Sequence, residues 1–249
     1  MVLYLAGTNY GATMRKKIVI TPREKYSENF FNIVPASEFV PEWYRKSPGK
    51  YSFAKSEIDP LDRISVTSTY KKCTPFFDAL TAGYMVFLTS DIEVVKKDDG
   101  QPFIQWRTTR RIITDHSDIQ WEGLPCPEGY SKHVYKWHNQ FNINVPKGYS
   151  LLFLNPINRF DLPFMTITGI VDCDNFKLPV HFPFFIKDSF SGIIEKGTPI
   201  AQIIPIKRDL WERKHEKYDE DESMIMPEKY FSTIKRAYKN TVWERKEYK

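Results

Sequence analysis

The feature that most constrains this chain is a succession of short apolar and aromatic runs, each cut off within a few residues by Gly, Pro, Asn or Asp. They occupy residues 84–95, 103–106, 112–113, 134–145, 149–154, 165–172, 180–186 and 198–206. Alternation places successive side chains on opposite faces of a strand. Spacing of roughly 8–15 residues between runs, with turn residues in the gaps, predicts an all-β sandwich, jelly roll or closed barrel. Asp98-Asp99-Gly100 lies between two such runs, and an Asp-Gly pair there signals a hairpin because Gly accepts positive φ. Pro146-Lys147-Gly148 marks a second turn.

Composition supports this reading. The chain has 249 residues with 18 Phe, 14 Tyr, 6 Trp and 17 Pro, an aromatic and turn-forming excess that favours strands over helices. With 41% hydrophobic and 27% charged residues it has enough apolar surface to fold, which excludes a disordered chain. The length suits one large domain or two small ones.

The flanks differ from the middle. Residues 1–70 are expected as an N-terminal extension packing on a barrel of residues 71–206, followed by a charged linker and C-terminal helix over 207–249. Within the extension, 18–20 and 64–70 read as strands. Residues 37–46 read as one or two helical turns, with Ser37 as N-cap, Pro41 near a start, and Ser47-Pro48-Gly49 as the stop. Beyond Pro227, the residues Tyr230, Phe231, Ile234, Tyr238 and Val242 recur at helical spacing among Lys and Arg. That amphipathic helix packs either on its own domain or on a neighbouring subunit.

Charge and cysteine content exclude several classes. Lys plus Arg is 36 against 31 acids, a net +5, with both signs interleaved. The densest basic cluster is Arg107, Arg110 and Arg111, which alternation would split between two strand faces, so no clear nucleic-acid patch is expected. Three cysteines with no CxxC give neither a disulfide framework nor a zinc ribbon. Arg15, Lys16 and Lys17 follow the short apolar start instead of preceding it, the reverse of a signal peptide, and no run approaches the ~20 apolar residues of a membrane helix. A cytoplasmic protein is expected.

Three segments, in order, resemble the trimeric dUTPase and dCTP deaminase superfamily. Asp78-Ala79-Leu80-Thr81-Ala82-Gly83-Tyr84-Met85-Val86 looks like its first motif. Gly169-Ile170-Val171-Asp172-Cys173-Asp174 is similar to its third, and Gly192-Ile193-Ile194-Glu195-Lys196-Gly197-Thr198-Pro199-Ile200-Ala201-Gln202-Ile203-Ile204 to its fourth region. Pro146-Lys147-Gly148-Tyr149 is similar to the turn before the second motif. The likeness spans about half the chain. Over most of its length the chain also looks like an uncharacterised family of tailed phages and marine bacteria.

The resemblance implies a distorted jelly-roll barrel and a homotrimer. It implies Asp172 as the base that holds an attacking water, with Mg²⁺ on the phosphates. Arg159, Phe176, Gln202 and Tyr84 are its implied nucleotide-binding residues. The chain also departs from the pattern. Met85 stands where the family has Asp, Asn155-Pro156-Ile157-Asn158-Arg159 replaces the Arg-Ser motif, and Phe176 is displaced by Asn175. A charged segment replaces the Gly-rich tail, and Leu178-Pro179-Val180-His181-Phe182-Pro183-Phe184-Phe185 lacks the deaminase glutamate. The leading expectation is therefore a non-catalytic member of the fold: a binding or structural module, phage-encoded in one version, whose partners are its own copies, a nucleotide, or phage or host proteins. It needs no cofactor. A Mg²⁺-dependent deoxynucleotide pyrophosphatase using Asp172 is the alternative.

Other residues suggest separate chemistry. His116 and Asp118, two apart, share a strand face and with His181 would make a facial triad for an Fe(II) oxygenase. His133 and His138, five apart, fall on opposite faces. Cys173 lies between two acids, which raises a thiol pKa. Pro179 and Pro183 favour an edge or a bulge for the aromatic run at 182–185, read as a buried strand at a subunit interface.

Overall fold

The computed structural model describes residues 15–23, 33–53, 65–108, 110–218 and 237–249. Their strands in chain order are β1 (Val19–Pro22), β2 (Ile33–Pro35), β3 (Lys50–Phe53), β4 (Ser65–Ser68), β5 (Tyr84–Phe87), β6 (Ile92–Lys96), β7 (Pro102–Trp106) and β8 (Ile113–Asp115). Then come β9 (Tyr130–Trp137), β10 (Phe141–Asn144), β11 (Tyr149–Leu154), β12 (Phe164–Thr166), β13 (Gly169–Val171), β14 (Phe182–Lys187), β15 (Gly192–Ile194) and β16 (Pro199–Lys207). Helix is sparse: α1 (Glu42–Lys46), α2 (Thr74–Thr81), the short helix Ala237–Thr241 and three 3₁₀ turns.

Pairing is antiparallel throughout. The sheets run β13-β11-β16-β5-β2, β12-β14-β9-β8 and β15-β6-β7, with two-stranded pairs β1-β10 and β3-β4. The protein is thus β-rich, as the alternation predicts. Its described strands form several open sheets, not the closed barrel expected. One core joins them. Leu151, Phe153 and Ile203 come from the five-stranded sheet, Trp137, Phe184 and Ile186 from the four-stranded one, and Ile92, Val94 and Ile104 from the three-stranded one. At its centre the Trp137 and Phe184 rings stack at 3.7 Å and 7°.

The turns fall where the sequence places them. Gly100 adopts φ +77° between β6 and β7, and Gly148 φ +85° before β11. The run 84–95 divides into β5 and β6, and 134–145 into β9 and β10. Helix α1 begins behind Pro41, not Ser37, because Pro41 presets the entry dihedral while Ser37 sits in a 3₁₀ turn; Ser47 ends it. The aromatic run forms β14 between β12 and β9, an interior strand with a register shift after Phe185, and its rings are buried in this chain's own core. Neither proline makes an edge or a bulge: Pro183 pairs in register with Lys136, and the shift falls past it, between Phe185 and Lys187.

Helix α2 is an element the alternation does not announce. Its cue is Pro75 in the first turn, where a missing N–H costs nothing. The helix delivers the chain to Gly83, at φ +67°, where an added Cβ would lie 2.0 Å from the Ile203 carbonyl oxygen. Close approach of β5 to β16 therefore requires glycine there.

At the C-terminus, Tyr230, Phe231 and Ile234 of the expected amphipathic helix lie outside the described residues. The segment after it lies on its own chain. Trp243 Nε1 donates to Asp78 Oδ2 at 2.8 Å, Lys246 Nζ to the same oxygen at 2.9 Å, and the Tyr248 ring meets Tyr84 edge-on. No described helix is long and apolar enough to cross a membrane.

Candidate functional site

Asp172 sits just past β13, in a turn where its carbonyl accepts from the Asn175 and Phe176 amides at 3.0 and 2.9 Å. The pairing of Leu151 with Val171 brings Ser150 across from it. Its carboxylate accepts from Ser150 Oγ at 2.6 Å and faces the Arg208 guanidinium at 3.2 Å. Two residues on, Asp174 has a side chain only 2% exposed. It accepts from the Gly148 amide at 2.9 Å and from both terminal nitrogens of Arg208. The Arg208 hydrogen bond, then that of Gly148, holds Asp174 down at about 2. Arg208 also donates to the Tyr149 carbonyl at 2.8 Å and to Ser150 Oγ at 3.1 Å.

The candidate base is therefore engaged in an ion-pair network. The guanidinium takes the position beside Asp172 that a divalent cation would need, so these residues do not fit a Mg²⁺ ion there. The sequence offers no sign of this partner. Arg208 meets Asp172 and Asp174 only because β16 pairs with β11, Lys207 opposite Tyr149.

The implied nucleotide-binding residues are dispersed. Arg159 follows the far end of β11, whereas Asp172 lies beside its start; six residues at ~3.3 Å each separate the two ends. Arg159 instead clamps Asp161 through Nε at 2.9 Å and a terminal nitrogen at 2.8 Å. Burial pushes Asp161 up, but the Arg159 hydrogen bond and charge hold it below its ordinary value.

Gln202 is fully buried and already satisfied. It donates to the Ala79 and Ala82 carbonyls at 3.0 and 2.7 Å and accepts from the Ile157 amide at 2.9 Å. It ties α2 and the loop after β11 to β16. The Tyr84 hydroxyl donates to the Lys249 carbonyl at 3.2 Å, and burial and then Tyr248 raise its pKa. Phe176 stands exposed in the Asp172 turn.

The three residues of the expected iron triad are not brought together. Asp118 faces His133 Nδ1 at 3.3 Å, while His133 Nε2 meets Asp115 at 2.9 Å. His116 bonds Gln120 and packs edge-on against Trp121. His181 lies across β9 at His138, ring centroids 4.3 Å apart. Among the described residues no group of three His, Cys, Asp or Glu could hold a metal.

A cleft of about 790 Å³ lies over His133 and is lined also by Asp115, Asp118, Trp121, Cys126 and Tyr135. An imidazole oriented by a carboxylate beside a cysteine is the layout of an activated nucleophile. Here both His133 nitrogens face carboxylates. Cys126 donates to the Tyr130 carbonyl at 3.2 Å, and burial, then Asp188, push its thiol up. The sulfur thus stays a thiol bonded to backbone carbonyls. Cys173 is also inert: burial first, then Asp172 and Asp174, raise it to about 11, in line with its acidic neighbours.

A second cleft, of about 470 Å³, is basic. Arg23, Arg110, Arg111, His138, Asn139, Gln140 and His181 line it. Residues 107, 108 and 110–112 are irregular, so strand alternation does not divide the arginines; Arg110 and Arg111 share a cleft. No protein-family model and no curated protein matches this sequence.

Proposed function

We propose that the chain is a non-catalytic module on a dUTPase-like, jelly-roll-related framework, acting in binding or assembly as a homotrimer. One observation carries this reading: Asp172 spends its charge on Arg208 and its second contact on Ser150, at the opposite end of β11 from Arg159. A pyrophosphatase needs the base, the phosphate-holding arginine and the glutamine around one ligand. Here each has a partner of its own: Asp172 at the start of β11, and Gln202 and Arg159 at its far end, bonded to different groups. Residues that serve catalysis in the resembled family act in this chain as ties between elements. The retained Gly83, Asp172 and Gln202 are then explained by folding alone.

The test is a thermal-shift and hydrolysis screen of the purified protein against the dNTP and NTP panel, with and without Mg²⁺, alongside light scattering for subunit number. The reading expects no turnover and a mass three times that of one chain. Turnover of one deoxynucleotide, lost in Asp172→Asn with the oligomer intact, would instead establish the pyrophosphatase.

A further inference from the structure

The basic cleft is assembled from four separate stretches of chain. Arg23 follows β1, and its amide donates to the Gln140 carbonyl at 3.2 Å. Arg111 precedes β8, and its carbonyl accepts from Gln140 Nε2 at 3.2 Å. The His138 amide donates to the Ile112 carbonyl at 2.9 Å. The Asn139 amide donates to His181 Nδ1 at 3.2 Å. Backbone and amide contacts therefore fix the rim before any ligand arrives.

The lining carries three arginines and two histidines and, among the described residues, no carboxylate. Lys136, near the end of β9 and two residues before His138, adds its charge to the field on both imidazoles. Both imidazoles register that field. His138 is lowered to about 4 by burial, then by His181, Lys136 and Arg111; His181 is lowered by burial, then by Lys136 and Arg23. Among the described residues, the charged groups that lower them are cations and, for His138, the other imidazole. Because His181 Nδ1 accepts a hydrogen bond, the neutral ring carries its proton on Nε2 and remains a donor.

We propose that this cleft binds the phosphoryl end of a small molecule, a phosphomonoester or pyrophosphate group, with Arg23 and Arg111 as its principal ligands. A phosphomonoester carries about −1.5 to −2 charge at neutral pH and three strong acceptors, which suits several convergent guanidinium donors. A single carboxylate would match only one of the two guanidinium groups of Arg23 and Arg111. Guanidinium forks take phosphate in a bidentate geometry that fixes position as well as charge. This inference goes beyond the non-catalytic reading and stands without it, since binding here involves none of Asp172, Arg159 or Gln202.

The test follows the His138 and His181 ring nitrogens by NMR while inorganic pyrophosphate is added to the full chain, with acetate as control. Pyrophosphate is expected to move both imidazole signals and raise both pKa values, and acetate to move neither. Arg23→Gln and Arg111→Gln are expected to weaken binding by about tenfold each while the amide spectrum keeps its native dispersion. Imidazoles that ignore pyrophosphate overturn the proposal, as does binding that both variants leave unchanged. Turnover plays no part in this readout, so failure here leaves the hydrolysis screen to decide the other reading separately.

Discussion

Arg208 and Asp174 form an ion pair in which the carboxylate is 2% exposed and the guanidinium 35% exposed. The acid is sealed inside while its counter-ion reaches it from the rim. Asp174 is held at about 2, below its ordinary 3.8, so its contribution to stability is complete above the ordinary value and lost as pH falls toward 2. Arg208→Ala removes the cause of the shift. The acid-unfolding midpoint, followed by circular dichroism, is expected to move to higher pH; an unchanged midpoint would show that the pair contributes nothing.

Gln202→Leu keeps the volume and removes every polar contact. It leaves the Ile157 amide and the Ala79 and Ala82 carbonyls without their partner. Buried groups stripped this way cost about 1–3 kcal/mol each, so a loss of about 3 kcal/mol or more is expected in urea unfolding. A loss confined to a few tenths would mean that water replaces the side chain.

Gly83 and Gly100 both adopt positive φ, but only Gly83 faces backbone at 2.0 Å from the position of a Cβ. Gly100→Ala is expected to cost about 1–2 kcal/mol, the strain of a left-handed residue alone. Gly83→Ala must also push β5 from β16, and is expected to cost at least twice that or to prevent folding. Equal melting temperatures for the two variants would contradict the contact.

The histidines of the basic cleft give a second pH window. Both are held below the ordinary 6.5, His138 at about 4, so the unfolded chain binds more protons between those values. Stability is complete above pH 6.5 and falls as pH drops through that window. His138→Asn is expected to flatten the decline in melting temperature between pH 7 and 4. A slope that persists undiminished would place the linkage elsewhere.

The strands were legible because alternation and turn residues are local signals. The turn at Gly100 with its return strand and the strand 149–154 coincide with the expectation almost residue for residue, while the run 84–95 before that turn divides in two. Sheet order was not legible, since nothing local tells β16 to pair with both β11 and β5. The same blindness hid the site chemistry. Asp172, Gln202 and Arg159 could be named from motif likeness, but their partners Ser150 with Arg208, Ala79 with Ala82, and Asp161 depend on register and loop closure. The basic cleft was missed for a related reason: Arg23 lies far in sequence from Arg110 and Arg111, and only the β1-β10 pairing brings them to one rim.

The central place of β16 in its sheet has a consequence for synthesis. On one side lie β5 and β2, made early; on the other lie β11 and β13, made much later; only β16, at Pro199–Lys207, hydrogen-bonds to both groups. A nascent chain therefore carries two half-sheets with a vacant slot between them until that strand emerges. The edge of β5 stays unpaired while the chain grows from Phe87 to Pro199, and that of β11 from Leu154 to Pro199, an interval in which strand edges readily capture foreign strands. The last long strand acts as a keystone, and the sheet closes in one late, long-range step instead of growing from the N-terminus.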